Sequence, residues 1–524
     1  MDSILVIILL VFLGVFILCS FKLLWIYQMP EDKWSSETII PKLVFVCVCV
    51  LSGFITVLLP LDVREERSTG TGLTDSWSSV YIIIVVFCTA IIPLAMNLYD
   101  ALGDSAVSLG QKIPFMILRL VLTAGCFFFV VGLMYAYLNT CLIPIRSYSS
   151  NNSQWDLSQT IPATESSAVI LWTSTNLKLS LRFDIYLIAV VTFLGYFFFI
   201  AFGGVGLSAL PLDLILEFAD RPRAIDLAQY TRGKQDVGEQ ARSLGQMAKE
   251  MIEKERSLRV KTGWSAARQK AQLRTEFNKF RQSVFLLEIE FRKLEIALKN
   301  KGEHPLVAGF KLLMGIIFVF ISISWWLHIF LYMTFSDPNN AGEPVSLFLN
   351  YAIMYFDNQQ GYIMSFFVFA VFVLYLLCCT VKGAFKLGMR LFLIPMHAMK
   401  EGDTPISSLL FNSMIVMFAS GSIAQFSYMA FADYARQSTA QVIFAGQIQY
   451  LTFYVYFFDY NVFTFMFLSW SLLALTALLL YPREKPAVKI KRLVDQTMKE
   501  EGLSNVKNAV KFGLVPDGKK RSRL

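Results

Sequence analysis

Histidine, charge and paired cysteine are all scarce in this sequence. Three histidines, His304, His328 and His397, stand far apart in 524 residues. That is too few for a His-rich metal site, so a zinc or iron cofactor is not expected. Charged residues make up 16% of the chain, against about 25% in soluble domains. Cys19, Cys47, Cys49, Cys88, Cys126, Cys378 and Cys379 lie inside apolar runs, where a thiol acts as a small hydrophobe. Cys141 alone sits beside a loop, so no disulfide framework or metal-finger spacing emerges. No phosphate-binding loop occurs. Gly203-Gly204-Val205-Gly206 lies within an apolar run and reads as a close helix contact, not a dinucleotide fingerprint. The middle of each long apolar run lacks Asp, Glu, Lys and Arg. This argues against a self-contained proton-driven carrier and against an intramembrane aspartyl or zinc protease. No catalytic constellation remains, and the chain is not expected to be an enzyme.

What the chain has in excess is apolar surface. Hydrophobic residues reach 55%, with 46 phenylalanines. A spanning helix needs about 20 mostly apolar residues. Runs of that kind occupy Ile4–Ile26, Ile39–Leu59, Val80–Leu98, Pro114–Tyr137, Ile185–Leu210, Val307–Met333, Tyr362–Phe385, Ser407–Phe431 and Val462–Tyr481. The fold class is therefore all-α, a polytopic helical membrane protein of about nine spans. Val442–Tyr460 is aromatic but broken by Gln447, Gln449 and Asp459. It reads as an interfacial or re-entrant segment in preference to a tenth span. The first run has no positive n-region and too long an apolar core for a cleaved signal, so it reads as a signal anchor.

Basic residues set the orientation. With the N-terminus luminal or extracellular, 38 Lys and Arg fall in cytosolic segments and six in outer loops. An odd span count puts the C-terminus in the cytosol. The net charge of +8 then belongs to the cytosolic face, and no nucleic-acid partner is implied. Residues 1–210 form one half of the membrane domain, with an outer loop at 138–184. Residues 307–481 form the other half.

Between them, 211–306 carries 19 basic and 14 acidic residues. Phe277, Phe280, Val284, Leu287, Phe291, Leu294 and Leu298 repeat at spacings of three and four. That is a coiled-coil-like a/d seam. Val237, Leu244, Met247, Met251 and Leu258 form a looser stripe, and Thr262-Gly263 separates the two. The pattern predicts a cytosolic helical hairpin. Its Phe-rich stripe exceeds what the partner helix covers, leaving an interaction stripe at Phe277, Phe280, Leu287, Phe291 and Leu294 for a bilayer face, a second copy or an adaptor. Residues 482–524 form a basic cytosolic tail that attracts anionic lipid.

Few polar groups interrupt the spans. Ser420, Ser422 and Gln425 form the best polar cluster, a candidate solute path. His328, after Trp325-Trp326, reads as a hydrogen-bonded packing histidine. Pro93 and Pro395 read as helix kinks or ends. Tyr99-Asp100-Ala101-Leu102 fits a Tyr-x-x-apolar sorting pattern, with Tyr99 and Leu102 as the anchors, at a helix end. Asn151-Asn152-Ser153 is a glycosylation sequon, and this topology places Asn151 outside.

Three segments carry a family resemblance. Leu58-Leu59-Pro60-Leu61-Asp62-Val63 closes the second run, and Trp77-Ser78-Ser79-Val80-Tyr81 opens the third. Gly206-Leu207-Ser208-Ala209-Leu210-Pro211-Leu212-Asp213-Leu214-Ile215 closes the fifth. Together they resemble the limb-region membrane protein family, which includes lipocalin-interacting receptors and the lysosomal cobalamin exporter. The last segment looks most like the cobalamin-exporter branch. The resemblance implies a lysosomal, endosomal or plasma-membrane protein. It further implies either small-molecule export beside an ABC-type transporter, or receptor trafficking through an endocytic adaptor. A homo-oligomer is compatible with both. The family supplies no catalytic residues.

Overall fold

The computed structural model describes residues 3–33, 35–70, 72–103, 109–149, 171–221, 225–259, 264–299, 304–335, 344–387, 390–391, 394–395, 399, 402 and 404–480. Asn151 and the basic tail, residues 482–524, lie outside them. Among the described residues nine helices are long and apolar enough to cross a membrane. They are α1 (Ser3–Tyr27), α2 (Ile39–Thr69), α3 (Thr74–Leu102), α4 (Leu109–Leu138), α5 (Phe183–Ala219), α8 (Pro305–Thr334), α10 (Tyr362–Lys386), α11 (Ile406–Ala430) and α12 (Val462–Leu480). Two long charged helices, α6 (Leu227–Arg259) and α7 (Trp264–Lys299), the shorter α9 (Phe348–Gln360) and the brief helices Pro30–Lys33 and Val455–Asp459 are also present.

The apolar runs mark these helices well, with two informative departures. The segments expected to close the second and fifth runs do not end their helices. α2 continues through Pro60 to Thr69, and α5 through Pro211 to Ala219. A proline removes one helical hydrogen bond and crowds the turn before it. Burial on both sides of Pro60 outweighs that cost, since Leu58, Leu59, Leu61, Asp62 and Val63 are all sequestered. Pro93 lies inside α3, just after a π-helical turn at Phe87–Ile91. Pro395 neither kinks nor ends a helix: Ile394–Pro395 pairs with Arg390–Leu391 as a two-residue strand. Proline is tolerated at the end of such an edge pair, where its missing N–H costs no ladder bond.

The described residues fall into two compact units. The first comprises Met1–Leu212 with Ile317–Leu478. At its centre stands α11, which packs against α2, α3, α5 and α10. Small residues permit this. A Cβ on Gly195 of α5 would collide with the Phe418 carbonyl and the Ser422 hydroxyl of α11. A Cβ on Gly206 would collide with the Cys379 carbonyl of α10. The backbones therefore touch, as membrane helices do where side chains are absent. Around this contact lie Phe199, Phe426, Phe431, Phe444 and Trp325, all fully buried.

Four π-helical turns interrupt the unit: Phe87–Ile91 in α3, Phe199–Gly203 in α5, Ile329–Thr334 in α8, and Gln441–Ile448. The segment 442–460 forms no tenth spanning helix among the described residues. It consists of that last π turn and a short helix, Val455–Asp459, with Ile443, Phe444, Ile448, Leu451 and Tyr454 buried. The connection between α4 and α5 holds β1 (Thr140–Ser149) and β2 (Leu171–Ser180), paired antiparallel. Leu142 N–H donates to the Tyr450 carbonyl and Thr452 N–H to the Thr140 carbonyl, each at 3.0 Å.

The second unit, Asp213–Ile316 with Leu479–Leu524, contains α6 and α7. They run antiparallel, with Ile225 near Ala297 at one end and Lys254 near Glu276 at the other. Leu244, Met247 and Leu287 are buried between them, flanked by Val237, Phe280 and Val284.

Candidate functional site

The Ser420–Gln425 cluster lies on an unbroken buried stretch of α11, 419–428. Ser420, Ser422 and Gln425 are each fully buried. Two of the three hydroxyl and amide groups are engaged by backbone. Ser420 Oγ donates to the Met417 carbonyl of its own helix at 2.7 Å. Ser422 Oγ donates to the Thr192 carbonyl of α5 at 2.6 Å. Tyr81 closes a third side, its hydroxyl donating to the Gly421 carbonyl at 3.1 Å. Gln425 differs. Neither its Oε1 nor its Nε2 has a hydrogen-bond partner among the described residues. Ser427 Oγ, two residues on, is likewise without one. Buried polar groups in proteins are nearly always bonded, and an orphan costs about 1–3 kcal/mol.

The last carbonyl of α11 is capped by two side chains. His328 Nε2 lies 2.7 Å from the Ala430 oxygen, and Asn350 Nδ2 donates to the same oxygen at 3.1 Å. A carbonyl only accepts, so Nε2 carries the hydrogen and Nδ1 holds a lone pair with no partner among the described residues. The ring stacks between Tyr332 and Phe431, with centroids 5.1 Å away on each side. His328 is thus a packed, hydrogen-bonded histidine, as its position after two tryptophans suggests.

Beyond Ala430 the chain crosses the end of the bundle and is fastened at several points. Tyr332 donates to Asp433 at 2.9 Å, and Asn350 Oδ1 accepts from Tyr434 N–H at 3.1 Å. Arg67 of α2 reaches the Tyr434 carbonyl and stacks over its ring at 4.3 Å. The same guanidinium pairs with Asp357 at 2.6 Å, and Ser365 donates to the other Asp357 oxygen at 2.7 Å. Burial pushes the Tyr434 phenol above its ordinary range. Asp62, fully buried, accepts from Ala440 N–H at 2.7 Å and Leu73 N–H at 3.2 Å. Gln437, within this connection, takes a positive φ of 67°. The sequence points to Asp62 only as part of the segment that carries the family resemblance, and to Arg67, Asn350, Asp357 and Asp433 not at all. The available signal was the charged cluster Asp62–Arg67 directly after an apolar run with no break in helical pattern.

The other sequence candidates fall elsewhere. Tyr99 lies half-buried on the last turns of α3, its hydroxyl donating to Asp32 at 2.9 Å, and Leu102 is half-buried beside it. Docking as an extended strand would require that turn to unwind. On α7, Leu287 is buried, Phe280 and Leu294 are half-buried, and Phe277 and Phe291 are 51% and 38% exposed. Glu290 Oε2, beside them, is buried with no partner among the described residues, and burial raises its pKa. Near the start of α5, Asp184 pairs with Arg182 at 3.0 Å and accepts from Ser78 at 3.0 Å, on the wall of an open cleft of about 740 Å³. No group of three His, Cys, Asp or Glu able to hold a metal occurs among the described residues.

The model of LMBR1-like membrane proteins matches residues 4–285, more than half of the chain. The chain belongs to this family. A LIMR family protein of Dictyostelium discoideum is 28% identical over 505 residues, covering 89% of this chain and 95% of that protein. A LIMR family protein of Arabidopsis thaliana is 32% identical over 482 residues, covering 88% and 92% respectively. A rice LIMR family protein is 30% identical over 491 residues, with the same coverage. No solved structure matches at a significant level. The matched region of this LMBR1-like chain runs from α1 into α7. It includes the Pro60–Asp62 and Pro211–Asp213 segments and Gly195 and Gly206. The central helix α11, with Gln425, lies outside that match but within reach of the long relatives.

Proposed function

We propose that this LMBR1-like protein is a transport component that exports a small solute, with an energy-supplying partner of the ABC type. A cobalamin-type cargo is the first to test. The N-terminus is luminal and the C-terminus cytosolic, in a lysosomal or endosomal membrane. The protein has no catalytic activity and carries no cofactor. The observation supporting this reading is the orphaned Gln425 amide, fully buried one turn beyond Ser422. A buried amide retained without a partner calls for an explanation, and a ligand that bonds it is one. Three spanning helices of the same unit, α3, α5 and α8, carry π-helical turns. Such turns are frequent at functional sites because their backbone re-pairs at low cost. An alternative arrangement that partners Gln425, with or without solute, is therefore within reach.

The test is organelle-resolved metabolite profiling of a deletion strain, complemented with the wild type or with Gln425→Leu. Accumulation of solute in the lumen that only the wild type relieves supports transport. An unchanged lumen refutes it. A second reading, a receptor or trafficking adaptor of the lipocalin-receptor type, is favoured by Phe277 and Phe291, which remain exposed on α7. Mislocalised surface receptors with an unchanged lumen would support that reading instead.

A further inference from the structure

α4 packs against α3 and the start of α5 and leaves the rest of its surface exposed. Phe128, Phe129 and Leu133 are exposed, and the helix is buried over little of its length. Beside α5 it leaves a slot of about 250 Å³, lined on a further side by Leu451, Phe453 and Tyr454. Val131 and Leu451 form the buried wall, and Val130, Leu194 and Phe453 stand exposed at the mouth. The wall is apolar except for the hydroxyls of Tyr186 and Tyr454, and the latter donates to the Ala189 carbonyl. A water in such a place would lack the two to four polar partners it needs. The mouth is continuous with the lipid-facing surface of α4, so hydrocarbon meets it directly.

Arg119 lies on the same helix, eight residues before Phe127. It is exposed, among exposed Phe115, Leu118 and Leu122, and it has no ion pair or side-chain hydrogen bond among the described residues. At about 3.6 residues per turn, Arg119, Thr123, Phe127, Val130 and Met134 fall on one side of α4. The rise of about 1.5 Å per residue puts the guanidinium-bearing Cα about 12 Å from the slot along the axis. A guanidinium on a lipid-facing helix reaches for the headgroup layer, and there an anion offsets its charge best. A guanidinium suits a phosphodiester, which it binds with two parallel N–H donors.

We propose that this face of α4 is a phospholipid site: Arg119 binds the phosphate of an anionic membrane lipid, and one acyl chain of that lipid runs along the helix into the slot. Charge complementarity and the continuity of the slot with the bilayer surface identify the occupant. With the N-terminus luminal, Arg119 faces the cytosolic leaflet, the anionic one. The site is independent of the transport reading.

The full chain, reconstituted in nanodiscs with trace phosphatidylserine or phosphatidylcholine bearing a diazirine at the end of one acyl chain, provides the test. Peptide mapping after illumination is expected to concentrate label on residues 127–134 and 190–194. Phosphatidylserine should label about fivefold more than phosphatidylcholine. Arg119→Gln should remove that preference while leaving the labelled positions unchanged. Val130→Trp, at the mouth, should remove the labelling of 190–194; Val190→Trp inside the slot should do the same, with thermal stability reporting that each variant folds. Label spread evenly over α1, α4 and α8 would mean annular lipid only and would overturn the proposal. So would equal labelling by a diazirine fatty alcohol, or loss of the phosphatidylserine preference on adding inorganic phosphate.

Discussion

Leucine at position 425 should make the bundle more stable and at the same time inactive. Gln425 buries a carbonyl oxygen and an amide nitrogen, and neither is bonded among the described residues. Each orphan costs about 1–3 kcal/mol, and an apolar group of similar shape removes the penalty. Allowing for partial relief by local adjustment, Gln425→Leu should gain about 2 kcal/mol, the size of one favourable burial step. In a domain of about 150–250 residues that would raise Tm by about 4–8 °C; the larger unfolding entropy of a chain about twice as long brings the expected rise to about 2–4 °C. Fluorescence-detected size exclusion after heating in detergent reads the shift, and luminal solute content in complemented cells reads the function. A fall in Tm would mean that the amide is bonded in the membrane, and its isolation would be disproved. A stabilised variant that still relieves luminal accumulation would remove Gln425 from the transport reading.

The same geometry sets further expectations. Gly195→Ala and Gly206→Ala each place a methyl group against a backbone carbonyl and should abolish folded protein, whereas Gly132→Ala, with open space around it, should leave abundance unchanged in the same expression assay. Leu287→Glu should lower abundance or partner recovery by co-immunoprecipitation, because it puts a charge between Leu244 and Met247, while Lys293→Glu on the exposed side should not. Glu290 has a folded pKa raised by burial, so the unfolded chain gives up its proton first; the stability contribution is present in acid and is lost as pH rises through the folded value. Protection factors of α6–α7 amides in the full chain, after division by the intrinsic exchange rate at each pH, should therefore rise on acidification, and Glu290→Gln should flatten that dependence. Protease protection of terminal tags should place the two ends on opposite sides, and finding both on one side would refute the odd span count.

The membrane helices were legible because the bilayer leaves little choice. About 20 apolar residues must pair their backbone internally, and only a helix does so within one segment. Runs such as Ile39–Leu59 and Val462–Tyr481 therefore announce themselves. The stretch after Leu59 is less plain, since the Pro60–Asp62 pair reads locally as a stop. The reason α2 continues is tertiary, because Asp62 meets the amides of Leu73 and Ala440, the latter 378 residues away. The same holds at the polar cluster. Ser420, Ser422 and Gln425 are alike as letters in an apolar run. Only the approach of Gly195 decides that Ser422 has a backbone partner and Gln425 does not. Phe277 and Phe291 sit on a stripe whose periodicity is visible, but which members the shorter side chains of α6 cover is a matter of shape. Chain register alone carries no such information.

The two glycine contacts on α5 also bear on how the bundle can move. Gly195 fixes one stretch of α5 to α11, and Gly206 fixes a later stretch to α10. Between them lies the π turn Phe199–Gly203. Helices touching along bare backbone cannot slide past one another without lifting apart, so translation at either glycine is blocked. Rotation of one stretch against the other is not, because the wide turn between them can shed its extra residue or pass it along the helix. α5 then acts as a crankshaft with two bearings and one throw. A twist at the α10 bearing would be delivered to Thr192 and Ser422, one turn from Gln425, without disturbing either contact.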